Sequence, residues 1–283
     1  MKNQPSIVKR MKPLLGTYVE IGFQSGTTDH QTFQAAFAVI EAIQTQMSFH
    51  QPNSALSKLN KSSGDWVELP PETLEVLRLA DRLYRQTDGL FNCTLAGYLV
   101  QRQYLPNHFD QTFQLSGTAD SLEIGEDSAR LNEPVLITLD GIAKGYAVDR
   151  AVQTLQDLQV TTGWINAGGD IRVFGDIEIP IHQRNEWYQL IPLTQLKNRA
   201  LATSQISHSR DASYPSYIIN NQGVQPENTI ISVAAEDAWL ADALTKVLAI
   251  TPVNQRASVA QKFSATYFPQ PQSSAINLSS LAL

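Results

Sequence analysis

The segment Thr138-Leu139-Asp140-Gly141-Ile142-Ala143-Lys144-Gly145-Tyr146-Ala147-Val148-Asp149 joins a β-branched run, a glycine turn and the start of an amphipathic helix. A strand that turns at glycine straight into a helix aims backbone N–H groups and the positive end of the helix dipole at one point, which suits phosphate. Lys144 falls in the first turn, where the dipole disfavours a cation, and a bound anion would account for it. The same residues also suit a tight packing turn with a solvated lysine, so both readings stay open here.

Two further groups carry chemistry. Asn166-Ala167-Gly168-Gly169-Asp170 places paired glycines where the backbone could approach a ligand, or simply form a hairpin turn. Asp242 and Lys246 lie one helical turn apart with Thr245 beside them, among small and apolar neighbours. Carboxylate plus hydroxyl suits a hard cation such as Mg²⁺; the plain alternative is a surface ion pair worth roughly a few tenths of a kcal/mol. His30, His50, His108, His182 and His208 are scattered without metal-ligand spacing and read as exposed or structural. Cys93 is the sole cysteine, which excludes an internal disulfide and a cysteine zinc site and suggests a buried packing residue.

The elements that must position these groups follow from periodicity. Residues 17–23 alternate as a strand entered through the Leu15-Gly16 turn. Phe33, Phe37, Ile40, Ile43 and Met47 predict a helix over residues 31–46. Pro70 and Pro71 open a second helix carrying Leu74, Leu77, Ala80 and Tyr84, which Asp88-Gly89 stops. Residues 101–131 are weakly patterned and are expected as loop with short strands, whereas Val135-Leu136-Ile137-Thr138-Leu139 predicts a buried strand. Val148, Ala151, Val152, Leu155 and Leu158 mark one face of a helix over 143–158. Strands are expected at 164–166, 171–174 and 230–235, the last leading into a helix over 237–248. Without strict βαβ alternation the fold class is α+β. A single domain is expected over 1–283, with an ordered core of 12–268 and a loose Ser/Gln-rich tail at 269–283.

Composition sets outer limits. With 283 residues the chain can bury a large core. A net charge of −6 argues against a nucleic-acid groove. No stretch approaches the ~20 apolar residues of a membrane span, and the N-terminus lacks a secretory apolar region, so a cytoplasmic location is expected.

The order of these segments resembles the ApbE family of FAD:protein FMN transferases. Leu15-Gly16-Thr17, Ser54-Ala55-Leu56-Ser57-Lys58-Leu59-Asn60, Thr87-Asp88-Gly89-Leu90-Phe91-Asn92-Cys93-Thr94, the 141–149 and 166–170 segments, Ala202-Thr203-Ser204 and Ala241-Asp242-Ala243-Leu244 carry the likeness over roughly 13–250. The resemblance implies a T-fold-like mixed domain with a cofactor cleft between two lobes. It implies FAD as substrate and Mg²⁺ on the diphosphate, held by the Gly141 carbonyl, Asp242 and Thr245. Asp242 and Lys144 are the implied catalytic groups, and Leu15, Phe49, Thr94, Ala96, Gly97 and Thr138 the implied cofactor contacts. Lys144, Gly168, Gly169 and Lys246 complete that set. The implied partner is an acceptor flavoprotein whose Thr or Ser hydroxyl takes FMN as AMP leaves, with no nucleic acid and no membrane span involved.

The chain departs from the family at four places. Asn92 and Thr138 stand where aspartates are usual, and Lys246 where a metal-ligating threonine is usual. Tyr217-Ile218-Ile219-Asn220-Asn221-Gln222-Gly223 stands for a segment that ordinarily holds a histidine and an aspartate. Two other readings therefore accompany flavin transfer: a non-catalytic FAD- or nucleotide-binding paralogue, and an FAD pyrophosphatase.

Overall fold

The computed structural model describes residues 6–26, 29–184, 189–206 and 217–270; His208 and positions 271–283 of the expected tail lie outside them. The chain opens with a hairpin, β1 (Ile7–Leu14) and β2 (Thr17–Gln24), whose turn residues Leu15 and Gly16 both take positive φ. Helices α1 (Asp29–Met47) and α2 (Ala55–Asn60) follow. Next come β3 (Val67–Glu68), α3 (Pro71–Gln86), α4 (Ala96–Gln101), β4 (Leu122–Ile124) and β5 (Ser128–Leu131). The second half begins with α5 (Ala143–Asp157), β6 (Gly163–Ala167) and β7 (Asp170–Phe174). It continues through β8 (Ile179–Arg184), β9 (Leu190–Leu196), β10 (Ala200–Ile206) and β11 (Thr229–Ala235). It closes with α6 (Ala238–Ile250), α7 (Arg256–Lys262) and β12 (Thr266–Phe268).

The main sheet is antiparallel throughout, in the order β1-β2-β6-β7-β10-β11-β12. Strand pleating sorts its residues into two faces. From β7, Ile171 and Val173 join Leu201, Ala234 and Leu196 under the β8–β9 hairpin. Asp170 and Arg172 alternate with them and meet α5 and α6 on the opposite face. From β10, Ala200, Ala202 and Ser204 are small enough to let α6 lie close, and Ser204 bonds Thr245 at 2.7 Å. A second apolar cluster of Phe49, Leu95, Leu99, Leu105, Phe109 and Ile219 forms the other lobe.

The amphipathic helices form where their stripes predict, with Phe33, Ile40, Ile43 and Met47 of α1 and Val148, Ala151, Val152 and Leu155 of α5 buried. Leu158 is a correction: α5 ends before it, and it is exposed. Residues 135–139 are buried as expected but are no strand. They join no sheet, and a single parallel bridge ties Leu136 to Leu95. The Asn60 amide donates to Ile137 O at 2.9 Å and accepts from Ile137 N at 2.7 Å, Thr138 N donates to Cys93 O at 2.9 Å, and Leu136 O accepts from Ala96 N at 3.2 Å. No described helix is long and apolar enough to cross a membrane.

Candidate active site

Between the main sheet with α6 and the second apolar cluster lies a cavity of about 1090 Å³, at the upper end of what small-molecule sites occupy. Leu15, Thr138, Gly141, Lys144, Gly168, Gly169 and Lys246 line it. Asp242 and Thr245 are fully buried directly behind Lys246. Four other expected contacts do not line the cavity. Phe49 packs on Phe109 and His108, its ring centroid 5.4 and 5.8 Å from theirs. The Thr94 hydroxyl is bound to Asn92 Oδ1 at 2.7 Å, and Ala96 is fully buried. Gly97 lies so close to the 114–115 backbone that a Cβ there would fall 2.3 Å from Gln114 O.

The Thr138–Gly141 turn reaches the cavity, but the start of α5 is not a vacant phosphate cradle. Gly145 N donates to Asp242 Oδ2 at 3.1 Å, so a carboxylate of the chain itself sits at the helix terminus. Gly145 is also a packing glycine, since a Cβ there would stand 2.2 Å from Ala238 O of α6. Lys144 likewise has an internal anion: its Nζ lies 3.0 Å from Asp170 Oδ2, two charges in contact without hydrogen-bond alignment. Desolvation lowers the Lys144 pKa, but Asp170 and Asp242 outweigh it and leave it raised. Burial pushes Asp170 up to about 6 against the pull of Lys144.

The glycine pair divides its work. Gly168 has φ +61, and a Cβ there would lie 2.4 Å from Thr17 Oγ1. Gly169 has φ +105 and nothing within 4 Å of its Cβ position, so the backbone there is open to a ligand.

Several cavity residues escaped the sequence reading. Asp140 faces the cavity, its pKa raised by burial above all and by Asp242, with Thr138, His50 and Lys246 opposing. His50 and His182 line it too. The β8–β9 hairpin brings Ile181, His182, Gln183 and Arg184; Gln183 is buried, and its Oε1 lacks a hydrogen-bond partner among the described residues. Tyr217 stacks on Tyr104 with centroids 3.7 Å apart and rings 10° from parallel. Of these, only Tyr217 carried a signal in sequence, as a departure from the family pattern.

The implied Mg²⁺ does not fit the residues as placed. Lys246 Nζ is bonded to Asp242 Oδ1, and Gly145 N holds Oδ2. Thr245 is fully buried, donating to Asp242 O at 2.7 Å and pairing with Ser204 Oγ. Among the described residues no three His, Cys, Asp or Glu side chains converge as a metal-binding group. The pair is also no surface salt bridge, because Asp242 is 0 % and Lys246 22 % exposed.

The fold as a whole is similar to that of solved flavin transferases. The flavin transferase ApbE from Vibrio cholerae superposes with a TM-score of 0.79 at 21% identity, covering 93% of each chain. The flavinyl transferase ApbE of Pseudomonas stutzeri gives 0.81 at 18%, covering 96% of this chain and 94% of that one. The family model for ApbE matches residues 15–268, and the chain belongs to that family. Curated relatives named FAD:protein FMN transferase are 24% identical over 174 residues in Haemophilus influenzae and 27% over 177 residues in Vibrio cholerae. Those matches take in 56% and 58% of this chain and 50% and 53% of the relatives, so the chain spans about half the length of the curated relatives it matches.

Proposed function

We propose that the chain binds FAD in this cleft and transfers its FMN moiety to a Ser or Thr hydroxyl of an acceptor flavoprotein, releasing AMP. The observation that carries the reading is the pair of ammonium groups, Lys144 and Lys246, lining one dinucleotide-sized cavity. They would hold the diphosphate oxygens, and the open backbone at Gly169 would let the phosphates approach closely. The flat Tyr104–Tyr217 stack offers an aromatic face to a ring of the cofactor.

In the chemical step the acceptor hydroxyl gives its proton to the Asp140 carboxylate as its oxygen bonds the FMN-side phosphorus. The phosphorus–oxygen bond to the bridging oxygen breaks, and AMP leaves with that oxygen. Lys246 faces the charge that grows there, the electrostatic role expected to dominate phosphoryl transfer. Desolvation at the cavity wall raises the Asp140 carboxyl above its ordinary pKa, the direction that favours taking up that proton.

A binding-only paralogue is favoured by one observation: Asn92 and Asn220 spend their side chains on internal bonds. Asn220 Oδ1 accepts from Gln222 N at 3.0 Å and Val224 N at 2.8 Å, a local turn. Incubating the pure protein with FAD and a Thr-bearing acceptor domain separates the readings. Covalent FMN on the acceptor with equimolar AMP supports transfer. Free FMN and AMP support a pyrophosphatase, and FAD binding without AMP supports the paralogue. Under the transfer reading, Asp140→Asn lowers kcat by about 10²–10⁴-fold while leaving FAD affinity nearly intact.

A further inference from the structure

We infer that Lys246 is a built-in substitute for a divalent cation, and that this chain holds the diphosphate of FAD without a metal. The inference rests on the proposed FAD reading. Its basis is where the lysine stem runs. Gly141 and Asp242 are the two donors between which the family resemblance would place Mg²⁺. The Cβ position of Gly141 is 3.6 Å from Lys246 Cγ and 3.8 Å from its Cε, so the stem crosses the face of the turn. The ammonium then closes on Asp242 Oδ1 and lies 3.3 Å from Ser204 Oγ.

Lys246 therefore runs along the Gly141 turn and satisfies the carboxylate that would have drawn the metal in. For Mg²⁺ to bind, the ammonium would have to leave a carboxylate that is 0 % exposed. The incoming ion would have to outcompete an ammonium already paired with a buried carboxylate, whose separation carries the cost of breaking a buried pair. Mg²⁺ also demands near-octahedral oxygen donors at short range. Thr245, the nearest hydroxyl on α6, is fully buried, donates its proton to the backbone and pairs with Ser204.

A lysine has the properties this position asks of a cation. It is a compact point charge with three donors, one of which Asp242 occupies and another Ser204 engages. At 22 % exposure the group still opens to the cavity, where an anionic ligand can reach it. Lys144, 29 % exposed, supplies a second charge on the same cavity. Each ammonium is held by a buried carboxylate, Lys246 by Asp242 and Lys144 by Asp170, which fixes both on the cavity wall with N–H groups left for an anionic ligand.

The test measures FAD affinity by flavin fluorescence on chelator-treated full-length protein, first in excess EDTA and then in excess Mg²⁺. Wild type is expected to bind equally in both, within about twofold. Lys246→Met is expected to lose about tenfold or more in both buffers. Lys246→Thr, which frees Asp242 and adds a hydroxyl, is expected to lose as much in EDTA and to recover it with Mg²⁺. Wild-type binding that appears only with Mg²⁺ overturns this inference and leaves the function reading standing. Wild-type affinity matched by Lys246→Met in EDTA overturns it as well. Absence of FAD binding in both buffers overturns the function reading and this inference with it. Should the variants fail to fold, the wild-type comparison decides alone.

Discussion

Asp149 and Asp242 each cap the first turn of the helix that carries the other. Asp242, on α6, accepts from Gly145 N of α5, while Asp149, on α5, accepts from Ala238 N at 2.9 Å and Trp239 N at 2.8 Å of α6. Neither helix has a capping side chain of its own, Ile142 and Asp237 making no such bond. Arg172 of β7 bridges Asp149 to Asp237 and fastens the crossed pair to the sheet. The exchange of caps sets the position of the Gly141 turn relative to Lys246, which is the geometry the cleft depends on.

Asp149→Ala removes two charged caps and strands Arg172 beside Asp237 alone. Loss of a cap costs about 1 kcal/mol, and the broken partly buried ion pair adds to it, for roughly 2–4 kcal/mol. Thermal denaturation followed by circular dichroism should show a fall in Tm of several degrees, with Asp149→Asn intermediate because it keeps an acceptor. Equal Tm values for all three proteins would refute the capping role.

The Lys144–Asp170 pair predicts a pH dependence in FAD affinity. Asp170 is raised from 3.8 to about 6, its burial opposed by Lys144 and Lys246 and reinforced by Asp242. Since the native carboxyl binds its proton more tightly than the unfolded one, its stabilising contribution is full below the unfolded value and is lost as pH rises through about 6. Binding runs the same way: protonation below about 6 releases Lys144 from its anion and strengthens its hold on phosphate. FAD titrations across that range should show affinity rising as pH falls, and Asp170→Asn should flatten the curve. A profile unchanged in Asp170→Asn would assign the titration elsewhere.

Much of this site was legible because its residues sit on strongly periodic elements. The stripes of α1, α3, α5 and α6 and the β6–β7 hairpin around Gly168-Gly169 are local patterns, and they put Lys144 at the start of α5, Gly169 in the hairpin turn and Asp242 on α6. What failed depended on distant partners. Residues 135–139 look like a strand by composition, yet their backbone is held by the side chain of Asn60, far back in the chain. In β8, Pro180 and the polar residues His182, Gln183 and Arg184 blur any alternation, so the hairpin that brings Gln183 to the cavity leaves no local trace. Spacing puts Lys246 on the face of Asp242 but cannot say whether its ammonium turns outward to solvent or back onto a buried carboxylate.

Gln183 offers an opposed pair of expectations. Its Oε1 is a buried acceptor in a cavity-lining residue with no partner among the described residues, which costs stability in the free protein and favours a ligand whose N–H reaches it as the side chain adjusts. Gln183→Leu should therefore hold or raise Tm while weakening FAD binding by about 5–30-fold, an unmade hydrogen bond of roughly 1–2 kcal/mol. If affinity is unchanged in the leucine variant, Gln183 does not contact the cofactor.

Asn92 supplies the last expectation, because the amide is specified by its surroundings rather than tolerated as a lost aspartate. Its Oδ1 accepts from Thr94 N at 2.8 Å and Thr94 Oγ1 at 2.7 Å. Its Nδ2 donates to Gly117 O at 3.1 Å and Asn221 Oδ1 at 3.0 Å. Asn221 in turn donates to Gly89 O at 3.0 Å, so turning its amide to face a carboxylate would set oxygen against oxygen there. Asn92→Asp thus leaves two partly buried acceptors facing a carboxylate, with a cost of about 1–3 kcal/mol. Taking up a proton restores one of the two bonds, so the penalty should shrink toward acid pH. Denaturant melts of the wild type and Asn92→Asp at pH about 5 and about 8 check both the size and the slope. A variant as stable as wild type at the higher pH would show that this network does not hold the Asn92 and Asn221 segments together.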